Sequence, residues 1–302
     1  MVLMLRRRRH SGGSLPMERP GEGRVESSGI RRCLWWTGGR GGALGGAAGT
    51  LYVAFIGLPI VALLIRAAQQ DDLWSAVTGD LALSALRLSI FTSVVSIAVV
   101  VAGGTPFAYL LARSNSGLAR VIDALVELPI VLPPVVAGVA MLMAFGRGGL
   151  IGGWLNGAGI DISFTTVAVV FAQIFVAAPF FVRSAKLGFQ SVAGEYEDVS
   201  QTLGVSPIST FWRITLPLSA PSIITGLGLA WARALSEFGA TIMFAGNLTG
   251  ETQTMPLAIM TAMESSGGLD SALALSALLL VASVLALSAL TVASRRRWSG
   301  RL

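Results

Sequence analysis

Six long apolar runs, separated by shorter polar connections, dominate the chain from residue 43 onward. Each run carries few charges and has the ~20 residues that a helix needs to cross the hydrocarbon core of a bilayer. The pattern therefore predicts an all-α integral membrane protein with six transmembrane helices. The predicted spans are residues 43–65, 83–111, 125–146, 163–182, 219–245 and 271–293.

The composition supports a membrane protein and argues against a soluble one. The mean hydropathy is +0.72, and 13% of the 302 residues are charged, about half the ~25% of soluble domains. The net charge of +6 would suit a nucleic-acid binder, but the arginines flank apolar runs, as membrane topology requires. We therefore expect membrane lipid and no nucleic acid as a partner. The single cysteine, Cys33, excludes a disulfide within the chain.

Lysine and arginine are concentrated in alternate connections between the predicted spans. One side holds only Arg66 and Arg147, with Arg87 just inside its helix. The other side holds the N-terminal tail, Arg113, Arg120, Arg183, Lys186, Arg213 and the arginines after residue 293. Because short cytoplasmic connections carry the excess of basic residues, both termini are predicted to lie in the cytoplasm.

A polar segment, residues 195–217, lies between two apolar runs on the predicted cytoplasmic side. Gly204 follows a short helical pattern, and glycine past a helix end adopts the left-handed conformation of a C-terminal cap. Ser206 and Pro207 then fit the N-cap and the first position of a second helix. The segment is therefore predicted to form two short helices joined by a tight corner.

The second of these helices has an apolar face. Ile208, Phe211 and Trp212 recur at the i, i+3, i+4 spacing of one helix face. An ordinary amphipathic cytoplasmic loop would show the same pattern. A rigid two-helix corner is also what a membrane domain needs if a soluble partner pushes it, and both interpretations stay open on the residues alone.

The same segment resembles the cytoplasmic signature of permease subunits of ABC importers. That signature reads Glu-Ala-Ala, three residues, Gly, nine residues, Ile, one residue, Leu-Pro. It falls here on Asp198, Val199, Ser200, Gly204, Ile214, Leu216 and Pro217. All the spacings match, although aspartate replaces the glutamate and both alanines are changed. The resemblance implies a type I ABC importer permease fold in which this segment couples the membrane helices to an ATPase subunit.

The chain carries no nucleotide-binding motif of its own. A P-loop needs a lysine after a glycine-rich turn, and Lys186, the only lysine, lies in RSAKLGF. His10, the only histidine, lies in the first tail. We therefore expect no catalytic residues, metal or cofactor on this chain, and its energy to come from a partner or an ion gradient. The resemblance to ABC importers implies that ATP and magnesium are held by a partner ATPase.

A second stretch, residues 232–260, resembles the molybdate group of these permeases. The shared motifs are EFGAT, GN and G-x-TQT-x-PLAI, in that order, and residues 128–152 also resemble this group. Sulfate permeases are similar as far as GN but less so after Gly250. Ser236 stands where the molybdate group usually has glycine, and Met260 where it usually has tyrosine.

The resemblance implies a molybdate permease subunit in the bacterial cytoplasmic membrane. Its expected partners are an ABC ATPase subunit, an extracytoplasmic molybdate-binding protein and a second copy of itself. Sulfate, thiosulfate or tungstate are alternative substrates, and an ion-coupled secondary transporter or a membrane scaffold without transport activity are alternatives of other classes.

The predicted divisions of the chain are a disordered basic tail (1–42), the first transmembrane helix (43–66), the permease domain (80–293) and a basic cytoplasmic tail (294–302).

Four residues near the end of the fifth run are candidates for a translocation path or gate: Arg233, Glu237, Phe238 and Gly239. Charges within a membrane are costly and normally face a cavity, the bundle interior or a partner charge. Arg233 would attract an oxyanion while Glu237 gates it or, in the ion-coupled alternative, carries a proton. A structural ion pair between the two would leave the same trace in the sequence.

The connection that follows, residues 246–256, is rich in turn-forming residues. We expect it to form the rim of an outer vestibule that touches the binding protein, although a plain connector is equally compatible with each residue. The candidate residues are Gly246, Asn247, Gly250, Thr252, Gln253, Thr254 and Pro256.

Overall fold

A computed structural model describes residues 40–70, 72–266 and 268–298, and within these residues every regular element is a helix. Residues 1–39 and 299–302 of the two predicted tails lie outside the described part. The first helices are α1 (Arg40–Ala68), α2 (Leu73–Thr78), α3 (Asp80–Arg113), α4 (Gly117–Val131), α5 (Pro134–Phe145), α6 (Gly152–Gly157) and α7 (Thr166–Gln190). They are followed by α8 (Gly194–Thr202), α9 (Pro207–Thr210), a π-helical turn (Phe211–Thr215), α10 (Leu216–Leu235), α11 (Gly239–Phe244), α12 (Met255–Glu264) and α13 (Leu269–Trp298).

Five of the described helical segments are long and apolar enough to cross a membrane. They are Gly45–Ala68, Asp80–Arg113, Thr166–Gln190, Pro207–Leu235 and Leu269–Ala289. A sixth span exists if α4 and α5, which meet at a bend of 117°, are counted together. The predicted all-α membrane class is confirmed, and the count of six holds with this broken pair as one span.

The predicted span 125–146 is therefore not one continuous helix. Leu132 has extended backbone angles, with φ −68° and ψ 131°, and Pro133 and Pro134 follow it. A residue before proline is pushed out of the helical region, and proline has no amide hydrogen to continue the helix. Hydropathy alone does not reveal such a change of direction.

The predicted span 219–245 is also interrupted. Helix α10 ends at Leu235, the chain turns through Ser236 and Phe238, and α11 begins at Gly239. The backbone of Gly239 lies against Pro134, so that a Cβ there would meet the proline Cβ at 2.7 Å. This close approach brings the start of α11 onto the start of α5.

The packed core lies in the described residues from 59 onward, which form one compact unit, and the described residues 40–58 belong to a separate unit. Small residues line the centre where α3, α7 and α10 meet, and Phe181 and Phe189 fill the space between them. A second cluster packs α5 and α11 onto α7 around Phe244, and a third packs α12 and α13 onto α3 around Met255.

One face of α3 carries a row of fully buried hydroxyl groups that bind three other helices. Ser89 accepts a hydrogen bond from the Met255 amide at 2.7 Å, Ser93 accepts one from the Trp231 indole at 3.1 Å, and Ser96 donates to Gln173 at 2.9 Å. Buried polar groups need such partners. This row therefore fixes the rotation of α3 and leaves its opposite face outside the core.

Candidate functional site

The polar segment after α7 forms the predicted two-helix corner. Gly204 has φ +78°, the left-handed region in which glycine is favoured because it has no Cβ. Its amide donates to the Gln201 carbonyl at 2.9 Å, and the Val205 amide donates to the Ser200 carbonyl at 3.1 Å. These two bonds form the Schellman arrangement that ends a helix sharply.

The second helix begins with the predicted cap. The Ser206 hydroxyl accepts a hydrogen bond from the Ser209 amide at 3.4 Å, and Pro207 occupies the first helical position. The two helices are also joined directly, because the hydroxyls of Ser200 and Thr210 lie 2.8 Å apart in a buried position. Hydrogen bonds therefore fix the corner both at the turn itself and between its two helices.

A buried carboxylate attaches this corner to the membrane helices. Oε1 of Glu197 accepts hydrogen bonds from Arg113 Nη2 at 2.6 Å and from the Thr215 hydroxyl at 2.7 Å, while Oε2 accepts one from the Tyr109 hydroxyl at 3.1 Å. Arg113 also donates to the Val192 carbonyl at 3.2 Å. The contacts join the end of α3, the start of α8 and the π-helical turn before α10.

This environment changes the acidity of Glu197. Burial alone would raise the pKa of its carboxyl, but hydrogen bonds from Arg113, Thr215 and Tyr109 and the charge of Arg113 outweigh burial, so the pKa lies below its ordinary value. The carboxylate is therefore the form that holds the corner.

Glu197 is the residue that the motif comparison missed. The acidic position of the signature was assigned to Asp198, which is exposed, whereas its neighbour Glu197 is buried. Glu197 and Ser200 stand at i, i+3 and so share one face of α8, while Asp198 and Val199 face away. This spacing is the sequence signal that Glu197 and Ser200 share a helix face. It does not identify the residues that Glu197 contacts.

The predicted apolar face of the second helix is divided in the structure. Phe211 turns inward and packs edge-on against Tyr109 and near Phe189, with ring centroids 5.1 and 5.8 Å away. Ile208 and Trp212 stay outside. Large apolar side chains are exposed on α8, on α9 and on the turns that follow them. They are here called the corner apolar residues: Tyr196, Val199, Leu203, Ile208 and Trp212.

The remaining residues of the signature belong to the scaffold rather than to the surface. Ser200 is buried, and Ile214, Leu216 and Pro217 are partly buried where the chain enters α10. Leu216 also packs against the cluster between α3, α7 and α10. The motif thus spans both the outer corner and its attachment to the membrane helix.

The structure pairs Arg233 with Glu237. Arg233 Nη2 lies 2.5 Å from Oε2 of Glu237, whose side chain is 1% exposed. Oε1 of the same carboxylate accepts a hydrogen bond from the Ala240 amide at 2.7 Å, at the start of α11. Both carboxylate oxygens of Glu237 are therefore occupied by contacts that hold α10 and α11 together. This is the arrangement expected of a structural ion pair.

Phe238 and Gly239, the other two candidates for the path, lie in different surroundings. Gly239 is buried against Pro134. Phe238 lines an apolar cavity of about 540 Å³ together with Ser236 and Met260. The four candidates are thus close in the chain but do not form one polar site.

Only part of the predicted outer rim is accessible. The carbonyl of Leu248 accepts three amide hydrogen bonds from the residues at 251–253, and Asn247 donates to the Thr261 hydroxyl at 2.8 Å. Gly246 and Gly250 supply left-handed turns, with φ +73° and +83°. Thr252, Gln253 and Thr254 are buried and Pro256 partly so, so their expected exposure on a rim is corrected, and residues 248–251 are the exposed part.

Comparison with known proteins finds one matching family and similar permease proteins. The family described as binding-protein-dependent transport system inner membrane component matches residues 104–299. The molybdenum transport system permease protein ModB of Mycobacterium bovis is 45% identical over 233 residues, covering 77% of this chain and 87% of that protein. The probable sulfate transport system permease protein cysT of Chlorokybus atmophyticus is 34% identical over 209 residues, covering 68% and 73%.

A solved structure shares the fold. In a bacterial ABC transporter involved in the import of the acidic polysaccharide alginate, one chain superimposes with a TM-score of 0.67 at 17% identity, over 84% of this chain and 94% of that chain. The predicted permease fold of ABC importers is confirmed by this likeness.

The attachment at Glu197 predicts a pH-dependent stability. A lowered pKa in the folded state stabilises the fold above the ordinary glutamate pKa, and this contribution is lost as the pH falls through the lowered value. Replacing Glu197 by Gln should cost about 2–4 kcal/mol at pH 7, since it leaves the partly buried Arg113 without its partner charge. Thermal unfolding of the purified protein in detergent measures this loss.

The matched control is Glu195→Gln, an exposed carboxylate on the same helix, which should leave unfolding unchanged. The difference between wild type and Glu197→Gln should shrink as the pH is lowered below the ordinary glutamate range. A difference that is the same at acidic and neutral pH would contradict this assignment.

Proposed function

Since the chain belongs to the family of binding-protein-dependent transport system inner membrane components, we propose that it is the permease subunit of an ABC importer for molybdate. The observation that carries this proposal is the two-helix corner: it is rigid at Gly204, bound to the membrane helices through Glu197, and covered with exposed apolar side chains.

The corner apolar residues suit a surface that binds a soluble ATPase subunit. Five large apolar side chains stand at the end of the protein to which α3 brings Arg113. Exposed groups of this kind mark interaction sites. ATP and magnesium would be bound by that partner, and movement of the corner would reach α3 and α10 through Glu197.

Similarity to the relatives supports molybdate over sulfate. The relative named for molybdenum transport is more similar, at 45% identity, than the one named for sulfate transport, at 34%. Molybdate, tungstate and sulfate are all tetrahedral dianions, so the distinction depends on size and on the binding protein that delivers them. Sulfate, thiosulfate and tungstate remain the alternative substrates.

The assembled transporter would contain two copies of this chain, two ATPase subunits and an extracytoplasmic molybdate-binding protein. Both termini would lie on the cytoplasmic side, as the arginine distribution favours. The exposed part of the outer loop, residues 248–251, would face the binding protein. These assignments follow from the family and from the placement of the corner and the loop at opposite ends of α3.

The Arg233–Glu237 pair serves this function as a brace for the broken helix beside the path. Both oxygens of Glu237 are occupied, by Arg233 and by the Ala240 amide. An ion-coupled transporter in which Glu237 carries a proton would have to break these contacts in each cycle. The proposal therefore places the energy source on the partner ATPase.

Labelled molybdate uptake at nanomolar concentration, in cells with and without the gene, tests the substrate. Uptake should depend on the gene, fall in excess tungstate and persist in excess sulfate, because tungstate is nearly isosteric with molybdate. Uptake abolished by sulfate would assign a sulfate-type permease. Uptake independent of the gene would contradict an oxyanion importer of this specificity.

Gly204→Val tests the coupling role. Valine at φ +78° is strained by about 1–2 kcal/mol, while no other atom lies within 4 Å of the added Cβ, so the change acts on the backbone alone. ATP hydrolysis by the assembled complex should continue while molybdate uptake falls. The measurement is uptake per ATP hydrolysed in proteoliposomes.

Gly194→Val is the matched control, since Gly194 on α8 also has open space around it but lacks a positive φ. It should leave the ratio of uptake to hydrolysis near that of wild type. Normal coupling in Gly204→Val would argue strongly against the corner as the coupling element.

A further inference from the structure

An arginine inside α3 lies in a cavity at the end of the protein opposite the corner. Arg87 is the eighth residue of the span Asp80–Arg113, about 10 Å along the helix axis from its start. It lines a cavity of about 670 Å³ together with Asp80, Ser84 and Phe91 of the same helix and Gly250 of the outer loop.

Arg87 differs in its partners from three of the other arginines in the membrane-spanning helices. Arg113, Arg183 and Arg233 each form an ion pair with a glutamate. In the part of the chain that the structure describes, no acidic group lies within 4 Å of the Arg87 guanidinium. A charge within a span is costly unless it meets water, a partner charge or a ligand.

The position of Arg87 is fixed by the core on the other side of α3. Ser89, two residues away, is fully buried and binds the Met255 amide just after the outer loop. Arg87 therefore lies on the exposed side of the helix, where it lines the cavity together with Gly250. Helix α3 provides the lining of the cavity apart from Gly250 of the loop, and the Ser89–Met255 hydrogen bond holds the chain that follows this loop against α3.

We propose that this cavity is an outer binding site for the transported tetrahedral dianion, with Arg87 as its anion-attracting group. The inference rests on the proposed function and adds a residue and a place to it. At ~30 Å³ per water molecule, the space admits an oxyanion together with much of its hydration shell. The anion would enter past Gly250 before it reaches the centre of the membrane.

The charge balance of the cavity suits passage rather than tight binding. Arg87 contributes one positive charge, and the Asp80 carboxylate near the mouth contributes one negative charge about two helical turns away. One guanidinium attracts a dianion without neutralising it. The same arginine could instead extend its charged end to the membrane surface, and this is the outcome that the experiments must separate.

The first experiment measures the maximal rate of molybdate uptake in cells that express the complete transporter. Arg87→Gln should lower this rate at least about tenfold, in line with electrostatic effects on anion entry, at unchanged membrane abundance. Arg87→Lys should keep about half of the rate or more, because a point charge suffices in an open cavity. Arg66→Gln is the control, since Arg66 lines a different cavity.

Wild-type rates in Arg87→Gln would overturn the proposal, as would equal losses in the Lys and Gln variants or in Arg66→Gln. A wild-type transporter that takes up sulfate instead of molybdate would refute the proposed substrate alone, and the same variants would then be measured with sulfate. The two failures are thereby distinguished.

The second experiment tests whether the cavity holds water and carries positive potential. Ser84→Cys in a Cys33→Ser background leaves one thiol, beside Arg87. A negatively charged membrane-impermeant methanethiosulfonate should label it faster than a positively charged one, and Arg87→Gln should remove the preference. A thiol that does not react, as expected for a side chain in lipid, or a preference unchanged in Arg87→Gln would overturn the site.

Discussion

The Glu197 carboxylate accepts hydrogen bonds from three side chains on two other elements, and the arrangement of the two-helix corner depends on it. Arg113 and Tyr109 come from the end of α3, and Thr215 comes from the turn that leads into α10. Without this contact the corner would be attached by its chain ends and by the packing of Phe211 and Leu216. With it, a displacement of the corner acts on two membrane helices together.

The two ends of α3 use charge in opposite ways. At the corner, Arg113 is partly buried and paired, so it strengthens a structural joint. At the other end, Arg87 faces a cavity without an acidic partner among the described residues, so its charge is available to an anion. Between them, the buried hydroxyls of Ser89, Ser93 and Ser96 bind α3 to three neighbours. One rigid helix thus connects the proposed entry site to the proposed coupling surface.

Local features of the fold could be predicted from the sequence, and features that depend on distant residues could not. The corner at Gly204 and Ser206 follows from backbone preferences of single residues, so its prediction succeeded in detail. The bends in the spans 125–146 and 219–245 were missed because hydropathy measures apolar length and not direction. The burial of Glu197 was missed for another reason, since it depends on Tyr109 and Arg113, which lie more than 80 residues away in the chain.

The claim that the corner binds the ATPase subunit is tested most directly by photo-cross-linking in membranes that contain the assembled transporter. Ile208, which is 75% exposed on the corner, is replaced by a photoreactive phenylalanine analogue, and Leu150, 91% exposed in the connection between α5 and α6, serves as the comparison. Irradiation should join Ile208, and not Leu150, to the ATPase subunit. An adduct from Leu150 and none from Ile208 would contradict the account.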